Sequence, residues 1–328
     1  MDEETVEAYC RSINQDIEKI TREISRVVVG HESVIRELLI AFFSSGHVLF
    51  EGMPGLGKTL LASTLSSVFD LEFRRIQFTP DLMPADITGT DIVSADKDSA
   101  VQFEFFQGPV FCNILLADEI NRSTPKTQSA LLEAMQETSV TVGGKTHAIS
   151  KPFLVIATQN PIDLEGTYPL PEAQIDRFFF KITVCPPALD EMVKIVDRTT
   201  EDNPAEVTPV LNAEKVLAYQ QFVRTIPVSS EVKKYAARIV LATSPQAENT
   251  IDEIRQYVRF GASPRGTQAL ILGSKVLALT KGRLNVSVDD IKEVAVPALR
   301  HRCILSFDGE SAGIQTDSLI KKLTEFCL

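Results

Sequence analysis

The sequence predicts an α/β protein: a parallel sheet in the first half, followed by an all-helical region. Three observations predict it. Helix-period and strand-length segments alternate through the first half. The strand segments are densely apolar rather than alternating, as strands covered on both faces are. After Pro186-Pro187 the strand signals fade and only helical periodicity continues.

Taken in order, Ile13, Ile17, Ile20 and Ile24 form one apolar stripe on a first helix. Val34, Ile35, Leu38, Leu39 and Phe42 do the same on a second, with Gly46 as its expected C-cap. Strands are predicted at 47–50, 73–78, 113–117 and 153–158. Segments 91–93 and 101–106 flank a polar turn, and 139–142 and 145–149 flank Gly143-Gly144; both read as hairpins, either contact surfaces or loop decoration. Helices are expected near 188–199, 212–225, 229–243, 264–281 and 288–300, with Ser263-Pro264 opening the fourth. The polar stretch 199–208 reads as a linker. The division implied is a core of residues 1–187 and a helical domain of 188–328.

Composition narrows the function. The chain of 328 residues is 44% hydrophobic and 23% charged, with net charge −11 and a pI near 5.0. An acidic balance of this size disfavours nucleic acid and anionic membrane as general partners. Five scattered cysteines without a CxxC suggest neither a disulfide framework nor a zinc site, and fit a reducing cytoplasm. The acidic N-terminus does not read as a signal peptide, and no apolar run has membrane-spanning length. His31, His47, His147 and His301 show no metal-ligand spacing.

One stretch carries chemistry outright. Gly52-Met53-Pro54-Gly55-Leu56-Gly57-Lys58-Thr59 matches G-x-x-x-x-G-K-[ST], a match expected by chance in a chain of this length with a probability on the order of 1%. It follows the apolar strand 47–50 and opens a helix predicted over 59–69, with Leu60 in its first turn counted among the nucleotide-binding residues. Small residues there bring backbone N–H groups onto phosphates, with the helix dipole behind them. Lys58 is then placed for the β- and γ-phosphates of ATP, and Thr59 for Mg²⁺. About sixty residues on, an apolar strand ends in Asp118-Glu119. Two acids at one strand end are costly without a cation nearby. Asp118 suits the metal and Glu119 the attacking water. A third strand ends at Asn160, before Pro161. Alone this is a turn-forming asparagine; beside the other two strand tips it becomes a candidate for holding the water.

With these residues in place the chain closely resembles the MoxR-type AAA+ ATPases. The most specific blocks are RIQFTPDLMPADITG (75–89), LLADEINRSTPKTQSALLEAMQE (115–137), VIATQNPIDLEGTYPLPEAQIDRF (155–178) and ASPRGTQAL (262–270). The resemblance implies an αβα P-loop NTPase core with a parallel sheet, followed by an all-helical lid. It implies that Val28, Val29 and Gly30 lie on the adenine side, although the family usually has Gln where this chain has His31. Asn160 corresponds to sensor 1, Arg265 to sensor 2, which would touch the γ-phosphate from the lid, and Arg177 to an arginine finger completing a neighbour's site. Arg122 falls where related proteins place an interface residue. Read alone, Arg177 beside Asp176 is a solvated pair or a helix-end charge, and Arg300-His301-Arg302 a cationic helix C-terminus. The partners implied are further copies in a ring, six by family habit, and a client complex, including proteins with von Willebrand factor A domains. Two other readings stand beside this one: a nucleic-acid-remodelling motor, which the acidic balance opposes, and a nucleotide-gated scaffold, which an intact Glu119 opposes.

Overall fold

Two helices lead into the sheet, α1 (Glu3–Val27) and α2 (Glu32–Phe43), in a computed structural model that describes residues 3–94, 102–160, 167–200 and 206–328. The isoleucine stripe of α1 is buried along its whole length. At the end of α2 the Gly46 N–H reaches back to the Ala41 carbonyl (2.8 Å) and that of Ser45 to Phe42 (3.0 Å). The left-handed residue is Ser45, at φ 59°, so the capping position expected of Gly46 falls one residue earlier. Gly46 is small for another reason: a Cβ there would sit 2.4 Å from the Phe179 side chain.

β1 (Val48–Glu51), α3 (Lys58–Val68) and β2 (Phe73–Gln77) follow, then the short α4 (Pro84–Thr88) and a hairpin of β3 (Gly89–Ser94) and β4 (Gln102–Gln107). β5 (Ile114–Asp118) runs into a 3₁₀ turn at Ile120–Arg122 and α5 (Pro125–Glu137). A second hairpin, β6 (Ser139–Val142) and β7 (Lys145–Ala148), precedes β8 (Leu154–Gln159), α6 (Glu172–Ile175) and β9 (Phe180–Thr183). The two hairpins lean on each other, the Phe105 ring stacked on His147 with centroids 3.9 Å apart. The polar turn of the first hairpin, the start of the proline loop after Asn160 and half of the expected linker lie outside the described residues.

The sheet has the order β2-β5-β8-β1-β9 and every pairing in it is parallel. Strand residues alternate between two cores, as a period of two requires. Val48, Phe50, Ile114, Leu116, Leu154, Ile156, Phe180 and Ile182 join the side holding α1, α2 and α3. Leu49, Leu115, Ala117, Val155 and Ala157 join the side holding α5. The next sheet strand after β1 is β2, at one edge, and the next after β8 is β9, at the other, and in such sheets ligands usually sit at the carboxyl ends of the strands where the order reverses.

The C-terminal part contains α7 (Leu189–Thr200), α8 (Ala213–Thr225), α9 (Ser230–Ala242), α10 (Asp252–Tyr257), β10 (Val258–Phe260), α11 (Pro264–Thr280), α12 (Val288–Leu299), β11 (Ile304–Leu305), α13 (Phe307–Ser311) and α14 (Thr316–Phe326). Its five expected helices are present. It is not all-helical, because β10 and β11 pair as a small antiparallel ribbon. Strands of three and two residues carry no readable alternation, and their partners are distant in sequence. β9 is absent from the predicted strands similarly: it has four residues, and of the run Phe178–Phe180 only Phe180 belongs to it. The apolar core of this lid is continuous with the α1–α2 side of the sheet. Among the described residues, no helix is long and apolar enough to cross a membrane.

Candidate functional site

At the tip of β1 the chain turns through the glycine loop into α3. Gly55 and Gly57 take left-handed φ values of 83° and 73°, and a Cβ on either would meet no atom within 4 Å. Glycine is therefore needed for the backbone and leaves open space above the loop, the shape of an anion cradle at a helix N-terminus. Lys58 folds back over the loop, its Nζ donating to the Gly52 carbonyl (2.7 Å). Burial lowers its pKa, while Asp118 and Glu119 oppose that shift. A cavity of about 420 Å³ opens here, lined by Pro54, Gly55, Lys58, Thr59, Asp118, Glu119 and Asn160 among others. Asn160 is 8% exposed.

Thr158, fully buried on β8, sets the two acids. Its hydroxyl donates to Asp118 Oδ1 (2.6 Å) and accepts the Glu119 N–H (2.8 Å). Glu119 has a left-handed backbone, φ 57°, which costs a non-glycine residue on the order of 1 kcal/mol. Each acid carries its own cation. Arg75 Nη2 lies 2.7 Å from Asp118 Oδ2, and Arg122 Nε lies 3.2 Å from Glu119 Oε2. Gln77 joins the two systems, accepting from Arg75 (3.0 Å) and donating to Glu119 Oε2 (2.8 Å). Arg75 and Gln77 alternate on β2 and so share one face. They and Thr158 escape the sequence reading, although the first two lie in the RIQFTP block and Thr158 is two residues before Asn160.

A second cavity of about 310 Å³ adjoins the first, sharing Gly55, Gly57 and Leu60 with it. Val28, Val29, His31, Leu56, Met192 and Ile195 line it, so one end of the combined site is polar and the other apolar, as a nucleoside triphosphate requires. Gly30 and Met53 line neither cavity. Nor do Arg177 and Arg265. Arg265 Nη1 stands 3.6 Å from Asp176 Oδ2, whereas Arg177 is half-buried and its guanidinium has no hydrogen bond or ion pair among the described residues. The expected solvated pairing of Arg177 with Asp176 is absent. Asp176 instead serves Arg302 (2.8 Å). The cluster does close a helix, Arg300 being the C-cap of α12; Arg302 and His301 are also buried and Arg300 pairs with Asp317 (2.7 Å), so the same residues form an internal fastening.

Fold and site together define a P-loop ATPase of the AAA class with a helical lid. Residues 47–180 match the ATPase family associated with various cellular activities (AAA), and residues 252–323 match the AAA lid domain. The chain is 41% identical to Chaperone MoxR1 of Mycobacterium tuberculosis, covering 94% of this chain and 81% of that one. It is 40% identical to the YeaC protein of Bacillus subtilis, covering 96% and 95%, and 29% identical to Protein MoxR of Methylorubrum extorquens, covering 88% and 87%. The crystal structure of a proposed ATPase from Cytophaga hutchinsonii superposes with a TM-score of 0.91 at 41% identity, over 98% of this chain and 97% of that one. The chain belongs to the MoxR family of AAA+ ATPases.

Proposed function

We propose that this protein binds and hydrolyses ATP with Mg²⁺ in a ring of its own copies, six in number, and uses the cycle to remodel or mature a client protein complex in the cytoplasm. The observation that carries the reading is the convergence of Lys58, Thr59, Asp118, Glu119 and Asn160 on one cavity while Arg177 stands outside it. The loop N–H groups and Lys58 hold the β- and γ-phosphates. Thr59 and Asp118 offer hard oxygen ligands, and Mg²⁺ bound there supplies charge neutralisation at the phosphates. Glu119 accepts the proton of the attacking water, which Asn160 orients. Residues 1–187 act as the core and 188–328 as the lid.

Arg177, whose guanidinium has no hydrogen bond or ion pair among the described residues, is read as the finger for the neighbour's γ-phosphate. Arg265 meets the same Asp176, away from its own phosphate cradle, which supports a role at that shared boundary too. The name of the Mycobacterium relative supports a chaperone-like task, and a von Willebrand factor A domain protein is the client class that the family resemblance suggests. The test of the assembly is specific ATPase activity against protein concentration. Activity should rise steeply with association, and Arg177→Ala should lose about 10³–10⁵-fold in turnover while still binding nucleotide. Full activity of dilute monomers, matched by the alanine variant, would sink the reading.

A further inference from the structure

The tripeptide Asp176-Arg177-Phe178 is gripped by the lid. Arg302, whose side chain is 3% exposed, uses all five of its N–H donors. Nε donates to Asp176 Oδ1 (2.8 Å), Nη2 to the carbonyls of Asp176 (3.1 Å) and Phe178 (2.7 Å), and Nη1 to those of Phe179 (3.1 Å) and Ala298. His301 Nε2 adds a bond to the Phe178 carbonyl (3.0 Å). Asp176 Oδ2 accepts from Ser263 Oγ (2.9 Å), the N-cap of α11, and lies near Arg265 on that helix's first turn. The backbone on both sides of Arg177 is thus tied to the segment that follows α12, and the Asp176 side chain to α11 as well.

A planar guanidinium with every donor used admits little rotation, and a buried charge cannot be released to solvent without a large penalty. The tripeptide must therefore move with the lid. We propose that Arg302 is a positioning residue for Arg177: through it the lid, and not the sheet edge alone, sets where Arg177 is presented to the neighbouring subunit. Arg265 touches the same carboxylate, so a displacement of α11 on one subunit's lid shifts the group offered to the next. This inference rests on reading Arg177 as acting on the neighbour's nucleotide.

Mixing variants tests both levels. Arg177→Ala keeps its own Glu119, and Glu119→Gln keeps its own Arg177; each alone should be nearly inactive. Activity regained on mixing shows that one chain's Arg177 serves the other's nucleotide, and no recovery overturns that reading and the proposal with it. The donor chain then carries Arg302→Lys together with Glu119→Gln. Lysine keeps a charge opposite Asp176 but cannot hold the carbonyls. Rescue should fall about 10–100-fold, the loss expected of a catalytic group misplaced by about 1 Å, with assembly by sedimentation and binding of a fluorescent ATP analogue unchanged. Undiminished rescue overturns the proposal and leaves the neighbour reading intact. Should that donor melt early or fail to assemble, Asp176→Asn replaces Arg302→Lys. Its amide still accepts one bond, so rescue should fall about 3–10-fold, and undiminished rescue again overturns the proposal.

Discussion

Two arginine–aspartate pairs of nearly equal length behave as opposites. Arg75 meets Asp118 at 2.7 Å and Arg302 meets Asp176 at 2.8 Å, but the Arg75 side chain is 47% exposed and that of Arg302 3%. Water competes for the first pair, which is worth at most about 1 kcal/mol. The second has four bonds to residues 176–179 and its guanidinium is almost closed to solvent. One pair can be exchanged during a catalytic cycle; the other is a joint. The difference teaches that the cradle is built to be rearranged and the lid fastening to transmit motion, although the same two residue types make both.

Removing the carboxylates should break this comparison most sharply. Asp176→Ala leaves a buried guanidinium unpaired and should lower stability by about 3–5 kcal/mol, whereas Asp118→Ala should change it by less than about 1 kcal/mol while abolishing Mg²⁺-dependent turnover. Denaturant titration of both variants measures this, and equal losses would dissolve the distinction. Thr158→Val probes the fixed part of the cradle. It strips a bond from Asp118 and another from the Glu119 N–H, so about 1–3 kcal/mol of stability should be lost, with turnover reduced and nucleotide affinity nearly kept.

The fastening also has a pH dependence. Burial, aided by Arg302, holds His301 well below the ordinary imidazole pKa. The unfolded chain takes up that proton below about pH 6.5 and the folded chain does not, so stability falls with decreasing pH by up to about 1.4 kcal/mol per unit. His301→Gln, which can still donate to Phe178, should flatten the slope between about pH 6.5 and 5.5; an unchanged slope in thermal melts would remove His301 from the account. The smallest effect is expected for Arg75→Gln. Freed of its guanidinium, Asp118 should accept Mg²⁺ more readily, and the Mg²⁺ needed for half-maximal binding of a fluorescent ATP analogue should drop by up to about fivefold. A rise would mean that Arg75 helps the phosphates directly.

The phosphate cradle was legible because its parts are local. A glycine loop must be contiguous to bend around phosphate, and acids at strand ends announce themselves by the apolar run before them. The parallel order of the strands then brings Lys58, Asp118 and Asn160 to one crevice. Thr158, Arg75 and Gln77 were not legible, since a threonine in a core strand and an arginine on an edge strand look like ordinary strand residues until their neighbours are known.

From its sequence alone this protein's family, its α/β core with a helical lid, and the nucleotide end of its site were determined, because each depends on residues close together in the chain. Only the tertiary structure decided what surrounds Arg177. Arg302 lies 126 residues from Asp176, and in sequence it reads only as a cation at a helix C-terminus. Whether an arginine is washed by water or saturated by carbonyls depends on the packing of lid against sheet, and no local pattern encodes that.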